Sequence, residues 1–210
     1  MADRTVEDRL REEYFNLLSE IRRVVEYLDV QIRHRLLAVR GALEKFEQIE
    51  VRSRVKECES AIESLRVRQE GSVFYADRLD SYTLTSLKDL AGVRVLAFPR
   101  RRLVEIDAVL REGFAGWTAD PISGDGGDGL KYWGFCAEVG RRIRGEYQIV
   151  SMLTGLFWEV EHSAIYKPTP RLKDIAESLR MRERSAAVLT VLRDFEEEFE
   201  RSVGLDGKTQ

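Results

Sequence analysis

Apolar residues return at three- and four-residue steps through the first part of the chain. Leu10, Tyr14, Leu17, Leu18, Ile21, Val24, Val25 and Leu28 form one stripe, and Ile32, Leu36, Leu37 and Leu43 extend it. That period predicts one or two long amphipathic helices over residues 8–48, with the charged side chains on the other face. Such a stripe either packs on the domain's own core, the simpler reading, or meets a partner. Residues 50–69 (EVRSRVKECESAIESLRVRQ) begin like a strand or loop and turn helical, and residues 71–88 are irregular. The pattern then changes to short β-rich runs. Residues 92–98 predict a strand, 101–113 a short helix built on Leu103, Ile106, Val109 and Leu110, and 116–122, 132–139 and 145–151 further strands. The Gly/Asp-rich PISGDGGDGLK predicts a loop. A helix returns from Leu153 to about Tyr166, Pro168 and Pro170 break it, and residues 171–203 predict a last long, charged helix. Its apolar stripe is Leu172, Ile175, Leu179, Val188, Leu189, Leu192, Phe195 and Phe199. Strands mixed with helices, and helices at both ends, fit an α+β fold around a small mixed sheet.

Composition narrows the function classes. Of 210 residues 43% are hydrophobic, enough for a core, and 34% are charged, which predicts salt-laced helical surfaces. With 34 basic and 37 acidic side chains the net charge is −3, so attraction to nucleic acid or anionic lipid is confined to local patches. Two cysteines, Cys58 and Cys136, exclude a disulfide scaffold and a four-thiolate zinc site. No apolar run approaches the ~18 residues that cross a bilayer, and the first residues, MADRTVEDRLREEY, have no apolar signal core. The expectation is a soluble cytoplasmic protein without membrane contact.

Candidate chemistry lies in three places. In GEYQIV the two-residue period of a strand puts Glu146 and Gln148 on one face, and Asp89 sits just before another β run. Two carboxylates at strand ends are suitable ligands for Mg²⁺, which takes hard oxygen donors plus phosphate oxygens; the plainer alternative is two surface acids. In RVKECES, Arg54, Lys56 and Ser60 stand at a helix start, where positive charge, a hydroxyl and free backbone N–H groups can receive a phosphate; the alternative is a solvated helix end. GDGGDG lacks the Lys-Ser/Thr of a P-loop and the final Glu of a calcium loop, and reads as a plain loop. A nucleophile pair of Cys136 with His34 or His162 has no local support, and a cysteine in an apolar strand most often packs.

In order, RVKECES, DLAGVRVLAF, KYWGF and EYQIVSMLTGLFWEVEHSAIYK resemble the RelA/SpoT-type alarmone synthetase domain in its small, stand-alone form, over roughly residues 50–167. The resemblance implies a nucleotidyltransferase-like mixed sheet as residues 50–167, preceded by a helical segment 1–49 and followed by a C-terminal helix and tail 168–210. It implies transfer of the β,γ-pyrophosphate of ATP to the ribose 3′-hydroxyl of GTP or GDP, with Mg²⁺ as cofactor. By position, Arg54 and Arg94 would sandwich the adenine, and Lys56 and Ser60 would meet the ATP phosphates. Asp89 and Glu146 would hold the metal, Glu146 also serving as the general base. On the acceptor side, Tyr132 would stack on guanine, Gln148 would line the site, and His162 and Lys167, with Glu161 and Tyr166, would belong to the closing helix. Three positions depart from the family pattern. Ser64 stands at a usually basic place, Cys136 at a usual His and Val150 at a usual Arg, all toward phosphates or acceptor. The implied alternatives are another acceptor, such as the 3′ end of a tRNA, with Arg100–Arg102 and Arg141, Arg142 and Arg144 as its basic surface, or a module that binds nucleotide without catalysis. Small members are often oligomers, so a homo-oligomer through the terminal helices is expected.

Overall fold

The computed structural model describes residues 5–68, 74–75, 81–122, 129–161 and 181–204. Five strands, β1 (Gln48–Val55), β2 (Ala91–Phe98), β3 (Thr118–Pro121), β4 (Gly129–Phe135) and β5 (Arg144–Ser151), form one sheet in the order β1-β2-β5-β4-β3. The central β2–β5 pair is parallel, and the other pairs are antiparallel. The α+β class with a mixed sheet and flanking helices is thus as the sequence reads. One boundary differs. The third predicted strand, 132–139, is β4, which starts at Gly129 and ends at Phe135, because Cys136–Val139 turn back on themselves through Cys136 carbonyl bonds.

Helix α1 (Val6–Arg35) starts at Thr5, whose hydroxyl accepts from the Asp8 N–H while the Asp8 carboxylate accepts from Thr5, a capping box. Its stripe from Val6 to Ile32 is buried, and it shares one core with Val51, Val93, Val95, Tyr147 and Ile149 of the sheet. The stripe is therefore used inside the chain. A helix α2 (Leu37–Gly41) follows, then β1 and α3 (Cys58–Val67), which adds Ala61, Ile62 and Leu65 to the same core. Helix α4 (Arg102–Gly113) buries Ile106 and Leu110 on this side too. Trp117, just after α4, lies across the paired Gly134 and Gly145, where a Cβ would come within 2.6 Å of Trp117 and of Leu28 respectively. Two side chains of α1 hold β1 in place: the Tyr14 hydroxyl donates to the Lys56 carbonyl at 2.8 Å, and Arg33 donates to the Val51 carbonyl at 2.7 Å.

On the opposite face of the sheet, the described residues cover one end. Leu96 and Val150 meet Met152, Leu156 and Trp158 of α5 (Met152–Glu161) in a small second core. Helix α6 (Met181–Ser202) closes that end further. Phe199 packs on Phe98 with centroids 5.0 Å apart, and the buried Ser151 hydroxyl donates to Glu196 at 2.5 Å. The other end of this face carries polar side chains, and no helix among the described residues is long and apolar enough to cross a membrane.

Candidate functional site

Strand alternation builds the polar end. Side chains at register-matched positions share a face. One row across the sheet is Arg54, Gly92, Glu146, Trp133 and Thr118; the next is Arg52, Arg94, Gln148, Lys131 and Asp120. Arg54 lies over Gly92, where a Cβ would stand 3.3 Å from its Nε and 3.4 Å from its Cγ, so the glycine leaves the floor open for the guanidinium stem. Arg94 donates through Nε to Gln148 Oε1 at 3.0 Å, and Gln148 in turn donates through Nε2 to Glu146 Oε1 at 2.7 Å. Arg94 and Glu146 are thereby fixed by one amide between them.

The Lys56 N–H bonds the Leu90 carbonyl, which extends the β1–β2 ladder by one step and sets Lys56 beside Asp89. The ammonium meets Asp89 Oδ2 at 2.5 Å. The other oxygen, Asp89 Oδ1, is buried and accepts no hydrogen bond among the described residues; Arg68 Nη2 stands 3.9 Å from it. Burial pulls the Lys56 ammonium below its ordinary range, against the attraction of Asp89. Burial works to raise Asp89, but Lys56 first, then Arg68 and Arg54, hold it below the usual carboxylate range. Glu146, only 6% exposed, goes the other way: burial raises it, the bond from Gln148 opposes, and the charge of Asp89 adds to the rise.

A buried carboxylate oxygen that accepts no hydrogen bond among the described residues, and a second desolvated carboxylate at the same end of the sheet, suit a hard divalent cation bound together with phosphate oxygens. No cluster of three or more His, Cys, Asp or Glu stands among the described residues, so phosphate and water would complete the coordination.

Of the predicted site residues, Arg54, Lys56, Asp89, Arg94, Glu146 and Gln148 come together at this end of the sheet, and Ser60 is half-buried on α3. His162 and Lys167 lie outside the described residues. Tyr132 is a correction. It faces the core, 5% exposed, with its ring stacked on Tyr147 at 4.9 Å and its hydroxyl donating to Asp107 at 2.5 Å, the phenol pushed up to about 12 by burial and then by Asp107. A ring so engaged on the far side of the sheet cannot stack on an acceptor in the cleft. Cys136, four residues on, is buried in the same core. The cleft-side aromatics of β4 are Trp133 and the exposed Phe135, with the Arg144 guanidinium 5.6 and 5.0 Å from their ring centroids. Lys88 Nζ stands 4.0 Å from the Trp133 centroid, and Trp133 Nε1 donates to Asp120 at 2.9 Å.

The three departures sit in different surroundings. Val150 is fully buried in the small second core, Cys136 is buried with its thiol pushed up to about 12, and Ser64 is half-buried on α3. The expected basic surface is largely committed elsewhere. Arg101 and Arg102 both bond the buried Glu47, and Arg142 makes a two-pronged pair with the buried Glu20 at 2.8 and 2.7 Å. Sequence reasoning passed over Arg52 and Glu159. Arg52 shares the face of Arg54 by simple alternation, whereas Glu159 could be placed only once α5 was known to fold back over the sheet.

No family model matches the chain, and no curated protein matches it. Solved structures do. The small alarmone synthetase 1 from Bacillus subtilis bound to AMPCPP is similar at 20% identity and a TM-score of 0.63, covering 92% of this chain and 98% of that one. The same enzyme bound to its product pppGpp is similar at 18% identity and 0.60, covering 92% and 99%. A GTP pyrophosphokinase family protein from Streptococcus pneumoniae is similar at 20% and 0.62, covering 91% and 94%. The chain has the fold of the small alarmone synthetases over nearly its whole length.

Proposed function

We propose that this chain is a pyrophosphokinase that transfers the β,γ-pyrophosphate of ATP to the 3′-hydroxyl of a guanine nucleotide, GTP or GDP, to give (p)ppGpp. The observation that carries the reading is the joining, on one sheet end, of two arginines, a Lys–Asp pair and a desolvated glutamate in a fold whose neighbours hold an ATP analogue and pppGpp. In this reading the guanidinium planes of Arg54 and Arg94 stack on adenine, and Lys56 and Ser60 meet its phosphates. Mg²⁺ on Asp89 and Glu146, when bound, neutralises phosphate charge as it builds up. The acceptor 3′-oxygen bonds to the β-phosphorus, the bond from that phosphorus to the α,β-bridging oxygen breaks, and AMP leaves. Glu146 takes the proton of the attacking hydroxyl. Positioning and charge neutralisation carry such a transfer, with little covalent work from the protein.

Guanine stacks on the β4 aromatics of the cleft side, Phe135 being 45% exposed, and not on Tyr132. The alternation of Trp133, Arg144 and Phe135 also suits the last base of an RNA 3′ end, which is the second reading. Self-association through α6 belongs to the same proposal, and so does a cytoplasmic location. The deciding experiment incubates the purified chain with γ-labelled ATP and Mg²⁺ against GDP, GTP and tRNA separately. Label in ppGpp or pppGpp supports the first reading, label on tRNA the second. Label on none of them, with ATP still bound, leaves a nucleotide-binding module.

A further inference from the structure

Glu159 lies on α5, two turns into a helix that returns over the cleft face and sits close on β2, where Gly155 faces Leu96 and a Cβ would come within 2.3 Å of Leu96 Cδ2. Its carboxylate bonds Arg52 Nη1 through one oxygen and stands 3.7 Å from Arg94 Nη1 through the other. Arg52 and Arg94 are direct register partners on β1 and β2, and Arg52 is itself clamped by Glu50 at 2.9 and 3.0 Å. A carboxylate is thus fixed at the edge of the Arg94 guanidinium, on a helix rather than a loop. A base lying flat on Arg94 would turn one edge toward it.

Purine edges differ in what they offer there. Adenine presents a 6-amino donor, whereas guanine and hypoxanthine present a 6-oxo acceptor. A carboxylate only accepts, and along about four directions, so a bond from Arg52 and a bond from a base amine are compatible on one group. We propose that Glu159 selects the donor base: its carboxylate accepts from the 6-amino group of adenine on Arg94 at the N7 side of that group, where a 6-oxo purine offers only acceptors, its N1–H pointing to the other edge. Arg52 is the positioning residue that aims it. The inference rests on the donor site of the proposed function and deepens it by giving the choice of ATP over other purine triphosphates a residue.

The test is isothermal titration of ATP and of ITP, which differ at the 6-position in this sense, into the whole chain with Mg²⁺, for the wild type and Glu159→Gln. A lost charge-assisted hydrogen bond and an acceptor facing an acceptor predict that the wild type prefers ATP by roughly 10- to 100-fold. The glutamine amide can turn its oxygen to an amine or its NH₂ to a carbonyl, so the preference should fall to within about threefold, at unchanged melting temperature. Arg52→Met should lower the preference part of the way, through loss of aim. A wild-type preference within about threefold overturns the inference, as does one that survives Glu159→Gln. Equal tightening of both nucleotides in Glu159→Gln overturns it also, since Glu159 would then be a competing anion only. If the wild type binds ATP but does not discriminate, this inference alone falls. If it binds neither nucleotide, the donor-site reading falls with it.

Discussion

Glu146 and Arg94 hang on one amide, that of Gln148, and their roles separate under substitution. Glu146→Gln would remove the proposed proton acceptor and metal ligand but leave the two arginines proposed to stack on adenine. Label transfer should drop by at least ~100-fold, the scale of general-base catalysis, while titration still shows ATP binding. Arg94→Lys keeps the charge and loses the flat face, so ATP affinity should weaken roughly tenfold, with melting temperature nearly unmoved. Unchanged affinity would remove the stacking role. At this scale the site was half legible. Arg54, Lys56, Asp89, Arg94, Glu146 and Gln148, which the fold brings to one end of the sheet, are named by motif order and strand alternation. Tyr132 was misassigned because alternation says which residues share a face but not which face is the core. Glu159 was missed because no local pattern tells where a helix lands after it reverses over a sheet.

At the scale of elements, two joints bear on stability. The first is the Trp117 indole lying over the glycine at 134. Gly134→Ala would bring a Cβ within 2.6–2.7 Å of three indole ring atoms, and overpacking of this kind costs about 1–3 kcal/mol. Thermal unfolding should show that loss, and Trp117→Leu should recover part of it in the double mutant. The second joint is Glu47, which ties the start of β1 to α4 through Arg101 and Arg102. Burial works to raise its carboxyl, but Arg102 and Arg101 hold it below its ordinary value. A folded-state value below the unfolded one adds stability that is fully present above about pH 4.3 and is lost as pH falls through the depressed value. Glu47→Gln should therefore cost about 2 kcal/mol near pH 7 and progressively less under acid, in denaturant titrations at several pH values. A difference from wild type that does not change with pH would rule out the ion pair as its source. The strands and α1 were legible because their periods are clean. The β4 boundary slipped because a glycine-rich loop hides where pairing begins.

For the molecule as a whole, the fold class was readable from the order of patterns, whereas the use of the two terminal stripes was not. Periodicity shows that a stripe exists; only packing shows what covers it. The α1 stripe is spent on the sheet, so the proposed self-association would fall to α6, where Val188, Val191 and Phe195 recur at helical steps and Phe195 is 54% exposed. Phe195→Glu should lower the sedimenting mass toward that of one chain at micromolar concentration. A wild type that already sediments as one chain would remove the oligomer from the proposal and leave the cleft chemistry as it stands. The parallel β2–β5 pair also has a consequence in time. Its partners, 91–97 and 145–151, are separated in the chain by α4, β3 and β4, and β1 pairs from the other side. Such long-range pairings close late, since loop entropy is lost before contacts repay it. In a refolding experiment helical ellipticity should therefore return first, and capture of a fluorescent ATP analogue only with the slowest phase.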